Sequence, residues 1–202
     1  MKYLHAWAFM AAATLAACGG GGNDDTAAVE SQTSSTPSAA TAPASSGSTG
    51  TAAAGVTANL CGTTLDVAQI VAKINAVRSV SQGCGFATYA AAAPLAWNAK
   101  LAVAADRHSA DLASHSLFSH TGSDGSTVAD RVSAAGYGWW MVGENIAGGQ
   151  ANADDAIKVW VGSPDHCANL MNPGYKDVAL ACSYAAGSAY QRYWTLVLAA
   201  QN

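Results

Sequence analysis

From residue 66 onward the apolar positions keep helical time. Val67, Ile70, Val71, Ile74 and Val77 recur at intervals of three and four, which predicts an amphipathic helix over Asp66–Val80. Asp66 stands in its first turn, where a carboxylate suits the positive end of the helix dipole, and Gly83 and Gly85 end the unit. A second helix is predicted from about Asn98 to Leu117. Leu101, Ala105, His108, Leu112 and His115 share one stripe of it, so both histidines are expected to face inward. Thr127–Ala135 reads as a short helix stopped by Gly136, and Ala153–Val161 as another. Pro164 can open a further one, because the first helical position tolerates proline. Then the period changes to two. Val178, Leu180, Cys182 and Tyr184 alternate with Ala179, Ala181 and Ser183, and Tyr193–Ala200 is a nearly continuous apolar run. Both are predicted strands, the second more buried. Helices first and strands last imply an α+β domain built in layers.

The N-terminal third obeys neither period. Lys2 precedes an apolar run, Leu4–Ala17, too short to span a bilayer and of the right length for the apolar core of a secretory signal. It ends in Leu15-Ala16-Ala17-Cys18, which resembles the bacterial lipobox. That resemblance implies that residues 1–17 are removed and Cys18 is acylated, which makes the membrane a partner through an N-terminal lipid. Residues 18–58 are Gly, Ser, Thr, Ala and Pro with almost no large apolar side chains. Such a segment cannot bury a core and is expected to be a disordered tether spanning roughly 35 Å. Gly19–Gly22 is not a phosphate loop, since no strand precedes it and no Lys-Ser/Thr follows. The folded domain is expected over residues 59–202, large enough for one core.

Charge narrows the partners. The chain carries a net charge of −4, and loss of Lys2 with the signal makes it more acidic. No basic run is present, so nucleic acid, whose binding rests on clustered Lys and Arg, is excluded as a partner. Setting Cys18 aside leaves Cys61, Cys84, Cys167 and Cys182, an even set that reads as two disulfides in an oxidising compartment. Cys61–Cys84 with Cys167–Cys182 is the preferred pairing, because each pair flanks one local unit. A helix of about 22 Å separates the first two, and the flanking segments can reach about 30 Å. A structural zinc site is disfavoured by the lack of any C-x-x-C spacing.

Three polar positions stand out within the domain. His120 follows the long predicted helix, in Phe118-Ser119-His120-Thr121-Gly122. Glu144 is a lone carboxylate beside Trp139, Trp140 and Met141. His166 lies in Trp160-Val161-Gly162-Ser163-Pro164-Asp165-His166. Two imidazoles and a carboxylate can hold a divalent metal with an open position, and equally a proton network without metal.

The same residues carry a resemblance. Ile74-Asn75-x-x-Arg78, Pro94-Leu95-x-Trp97-Asn98, Phe118-Ser119-His120, Asp130-Arg131, Ala135-Gly136-Tyr137, Gly143-Glu144-Asn145-Ile146-Ala147, and Trp160 through Ser163-Pro164-x-His166 to Asn169-Leu170-x-Asn172 occur in that order. Across nearly all of residues 66–200 the chain resembles the CAP superfamily, or SCP domain, which includes cysteine-rich secretory proteins, antigen 5 and plant pathogenesis-related proteins. The resemblance implies a three-layer α-β-α sandwich with a small antiparallel sheet. It also implies a central cleft of two histidines and two acids that in some members binds Zn2+ or another divalent cation. His120 and His166 match the histidines and Glu144 the first acid. Ser163 stands at the second acidic position, which puts metal affinity in doubt. Asp165 is adjacent in sequence only. His108 and Asn145 are expected to support the cleft, Asn145 by fixing a turn. Trp139 and Trp140 are expected in the core rather than lining a lipid pocket.

These observations imply an exported, envelope-anchored lipoprotein facing the periplasm or exterior. Its domain is read as a non-enzymatic binding module for a divalent metal, small ligand, lipid or protein. The alternatives are a metal-assisted or serine hydrolase using the same cleft, and a structural or adhesive envelope protein. No Gly-x-Ser-x-Gly elbow supports a serine enzyme.

Overall fold

The structure, a computed structural model, describes residues 28–31 and 57–201. The predicted signal and Cys18 lie outside the described residues.

Each predicted helix forms, and its limits follow its caps. Helix α1 (Val67–Arg78) starts where the Asp66 carboxylate accepts from the Ala68 N–H, and it stops two residues short of Val80. Helix α2 (Ala99–His115) starts at Asn98, whose side chain accepts from the Lys100 N–H, and ends at Ser116 in the left-handed region, φ 50°. Helix α3 (Val128–Ala134) opens with a reciprocal box, Thr127 and Asp130 each bonding the other's backbone N–H. Helices α4 (Ala153–Gly162) and α5 (Pro164–Met171) are nearly continuous, with Pro164 in the first turn of α5.

Nine strands accompany them among the described residues: β1 (Ala28–Ser31), β2 (Thr57–Leu60), β3 (Thr63–Asp66), β4 (Gln82–Cys84), β5 (Ala87–Tyr89), β6 (Ala96–Trp97), β7 (Met141–Gly148), β8 (Asp177–Tyr184) and β9 (Arg192–Ala200). One sheet runs β1-β7-β9-β8-β2-β3, with β6 also on β8. It is larger than the small sheet expected, because β7 and several short strands join the predicted pair. Its centre is antiparallel, with Glu144 opposite Val197 and Leu180 opposite Leu196. Strands β2 and β6 run parallel to the two ends of β8. Strands β4 and β5 form a separate hairpin.

The alternation along β8 sorts residues between two cores. Val178, Leu180 and Cys182 pack with Ile70, Ile74, Ile157, Trp160 and Leu170 from α1, α4 and α5. Ala179 and Ala181 pack with Leu101, Ala104, Ala105, Val128 and Val132 from α2 and α3. Small residues on that face let α2 approach the sheet closely. The result is the expected α-β-α sandwich of the α+β class.

Four expectations need correction. The disulfides are Cys61–Cys182 and Cys84–Cys167, with Cα separations of 5.0 and 5.4 Å. Chain reach allowed the local pairing, but topology decides. Cys61 and Gly62, both at positive φ, make the tight turn between β2 and β3, and β2 runs alongside β8. That carries Cys61 to Cys182 and leaves Cys84, on β4, against α5. His115 is exposed, its ring turned to the Asp111 carboxylate one turn earlier at 3.0 Å, whereas His108 is fully buried. Trp139 is only partly buried and Trp140 is exposed, because both lie on the loop entering β7. Within the expected tether, Ala28–Ser31 is a strand paired antiparallel with β7, and β2 begins at Thr57.

Candidate functional site

Glu144 lies on β7 with its side chain fully buried. Three elements converge on it. His120, on the loop after α2, donates from Nδ1 to Glu144 Oε1 at 2.9 Å. Arg131, on α3, donates from Nη2 to Oε2 at 2.8 Å. His108, from the inner stripe of α2, places Nε2 3.5 Å from Oε1 and donates it to the Ser119 carbonyl at 3.0 Å. Arg131 also holds the loop that carries His120, donating to the carbonyls of Ser126 and His120. One guanidinium therefore fixes both the carboxylate and the histidine beside it.

Burial alone would push the Glu144 carboxyl up. The hydrogen bond from His120 and the charges of His108, Arg131 and His120 outweigh it and hold the group below its ordinary value. Burial lowers His108, with Glu144 pulling the other way and Arg131 adding to the depression. The Ser119 carbonyl can only accept, so His108 carries a proton on Nε2. His120 commits Nδ1 to Glu144, and its Nε2 is buried with no hydrogen-bond partner among the described residues.

His166 reaches the same strand by a different route. Asn145 donates to the His166 carbonyl at 3.0 Å, and Asn169 donates to the Glu144 carbonyl and to Asn145 Oδ1. Tyr175 donates to Asn169 Oδ1. This buried amide network fastens α5 against β7. Asn145 therefore ties a helix to a strand; it does not fix a turn, because Asn145 lies inside β7. Gly143 makes room for the network, since a Cβ there would collide with the Tyr175 hydroxyl and Asn169. Ser163 caps α5 without a side-chain hydrogen bond, and Asp165 is exposed.

The structure thus gathers His108, His120 and Glu144 in one cluster and brings His166 to the neighbouring strand positions. Sequence reasoning missed Arg131 and Asn169 as members. Both stood in the recognised motifs, and the only signal for Arg131 was a lone buried carboxylate that needed a cation.

A divalent metal does not fit Glu144 as it stands. Both oxygens are engaged, one by a guanidinium whose positive charge opposes a second cation, and the position of the second acid is Ser163. Among the described residues no group of three or more His, Cys, Asp or Glu side chains is placed to hold a metal ion.

Comparison with known proteins agrees with this architecture. YkwD of Bacillus subtilis strain 168, an uncharacterized protein, is 28% identical over 87 residues, which cover 43% of this chain and 34% of YkwD. An extracellular SCP-domain protein of Bacillus anthracis superposes with a TM-score of 0.53 at 26% identity, over 66% of this chain and 40% of its own. An outer surface protein of Borrelia burgdorferi shares the fold, with a TM-score of 0.54 at 14% identity over 67% of this chain and 92% of its own. The chain thus spans well under half of the two Bacillus proteins. Residues 71–198 match the cysteine-rich secretory protein family, CAP, and that span takes in the cluster and both layers of helices. With family match and fold in agreement, the chain belongs to the CAP family.

Proposed function

We propose that this chain is an exported, envelope-anchored lipoprotein whose CAP domain is a non-enzymatic binding module, with the cleft around His120, Glu144 and His166 receiving a small ligand. The observation that carries the reading is the state of Glu144. It is fully buried, held ionised, and accepts a hydrogen bond on each oxygen, from His120 and Arg131. A general base must lie within reach of the proton it takes, and a nucleophile within reach of its electrophile. Glu144, closed off by its burial, offers neither, so its part is to orient His120, whose buried Nε2 is the atom left for a ligand that opens the loop around it. Two disulfides and the extracellular relative support export, and the Leu15-Ala16-Ala17-Cys18 motif supports a lipid anchor. Among the described residues no helix is long and apolar enough to cross a membrane.

Calorimetric zinc titration tests the cleft, using the disulfide-bonded chain with Cys18→Ser beside its His120→Ala and His166→Ala versions. The expected result is no tight zinc site in any of them. Tight binding at one site per chain, lost in both histidine variants, overturns the metal-free reading. Turnover of chromogenic esters or casein that disappears in His120→Ala overturns the non-enzymatic one.

A further inference from the structure

The sheet has an open side at β7. This strand is eight residues long, mostly apolar, and paired with β9 on one edge only within the folded domain. A long apolar edge presents unpaired N–H and C=O groups and invites pairing with another chain. Here a segment from the N-terminal stretch occupies it: Ala28 pairs with Glu144, Val29 with Gly143, Glu30 with Val142 and Ser31 with Met141. The sequence singles out the same segment independently. Between Gly19 and Gly55, Val29 is the only branched aliphatic residue, and Asp24, Asp25 and Glu30 are the only charges. Branched residues favour strands, and charge on an edge strand discourages a further strand from adding.

We propose that Ala28–Ser31 is a detachable strap, a strand supplied by the chain itself that covers the β7 edge beside Glu144 and shortens the tether while it is docked. Four residues make a ladder too short to be permanent, so the strap exchanges between docked and free. Docked, it leaves about ten residues between Cys18 and the sheet, at most about 35 Å of chain; released, about forty residues reach Thr57, at most about 135 Å. The strap thus sets both the exposure of the β7 edge and the distance of the cleft from the anchor. The second consequence rests on the lipid-anchor reading, and the first does not.

Hydrogen–deuterium exchange on the soluble Cys18→Ser chain tests the strap without reference to lipid. Val29→Pro and Glu30→Pro are compared with the parent. Adjacent residues of a strand direct their N–H groups to opposite sides, so one of these prolines must remove a ladder bond. The expected result is exchange at least tenfold faster in 141–144 in one variant, with β9 unchanged. In the parent, the outward amides of 141–144 exchange at least a hundredfold faster than those of β9. Equal exchange in parent and both variants shows that no strap covers the edge. Protection in 141–144 as deep as in β9 shows a permanent strand. Protection that rises with protein concentration shows the strand of a second copy. Each of these three outcomes overturns the proposal.

Discussion

Arg131 is the residue on which the cluster turns. It is 2% exposed and pairs with a carboxylate that is 0% exposed. Removing one member of such a pair leaves the other charge buried and uncompensated, at a cost of about 3–5 kcal/mol. Arg131→Met and Glu144→Gln should therefore each lower stability by about that amount in urea denaturation, since each leaves the partner's charge buried. At this scale the sequence was uneven as a guide. His120, Glu144 and His108 were legible because a histidine or lone carboxylate among apolar neighbours demands a partner. Arg131 was not, since an Asp-Arg pair in a short helix reads as a solvated face, and only the fold shows what lies opposite. Asn75 and Arg78 stood in the recognised pattern for a reason that only the structure reveals. Asn75 bonds both the N–H and C=O of Leu95, and the buried Arg78 collects the carbonyls of Ala93, Leu170 and Asn172. They staple loops; they do no chemistry.

Among the elements, helices were the readable part, because Asp66, Asn98 and Thr127 announce their starts by chemistry local to the chain. Strand β7 was not predicted as a strand. Its Gly143 and Gly148 weaken any strand signal, and both are required by neighbours remote in sequence, Tyr175 with Asn169 and Tyr190 respectively. The disulfides failed for the same reason: their pairing depends on which strands adjoin. Non-reducing peptide mapping should give Cys61 linked to Cys182 and Cys84 linked to Cys167. The bridges span 121 and 83 residues, and closing loops that long restricts the unfolded chain by about 5 kcal/mol each. Replacing Cys61 and Cys182 together by alanine should destabilise the protein by about that much, read as a lowered urea midpoint.

For the molecule as a whole, the buried groups set the response to acid. His108 is held below 6.5 and Glu144 below 4.5. In both cases the unfolded chain takes up its proton first as pH falls. The contribution of His108 is complete above about pH 6.5 and erodes below it, and that of Glu144 is complete above about 4.5 and is lost as pH falls through its folded value. Asp124, held at about 2 by hydrogen bonds from Ser126 and the nearby Arg107, adds to the acid limb. Stability should be greatest near neutrality, decline gently below about pH 6.5 and steeply below about 4.5. His108→Gln should flatten the first slope and keep the second, in urea titrations taken at intervals from pH 7.5 to 3.5. The layered class was legible at this scale, since periods of three to four and of two already assign helices and strands.

The bridge from Cys61 to Cys182 also defines how the protein carries a mechanical load. A pull arriving along the N-terminal segment meets Cys61 before any described helix and passes through the sulfurs into β8, in the middle of the sheet. All five described helices and every cleft residue lie between the two cysteines in sequence, within a loop that the covalent bond bypasses. A pull between the N-terminal segment and strand β9 therefore runs through the covalent bond and β8, not through the helices. Reduction of that bond puts the same load through the whole stretch from β3 to α5, Glu144 included.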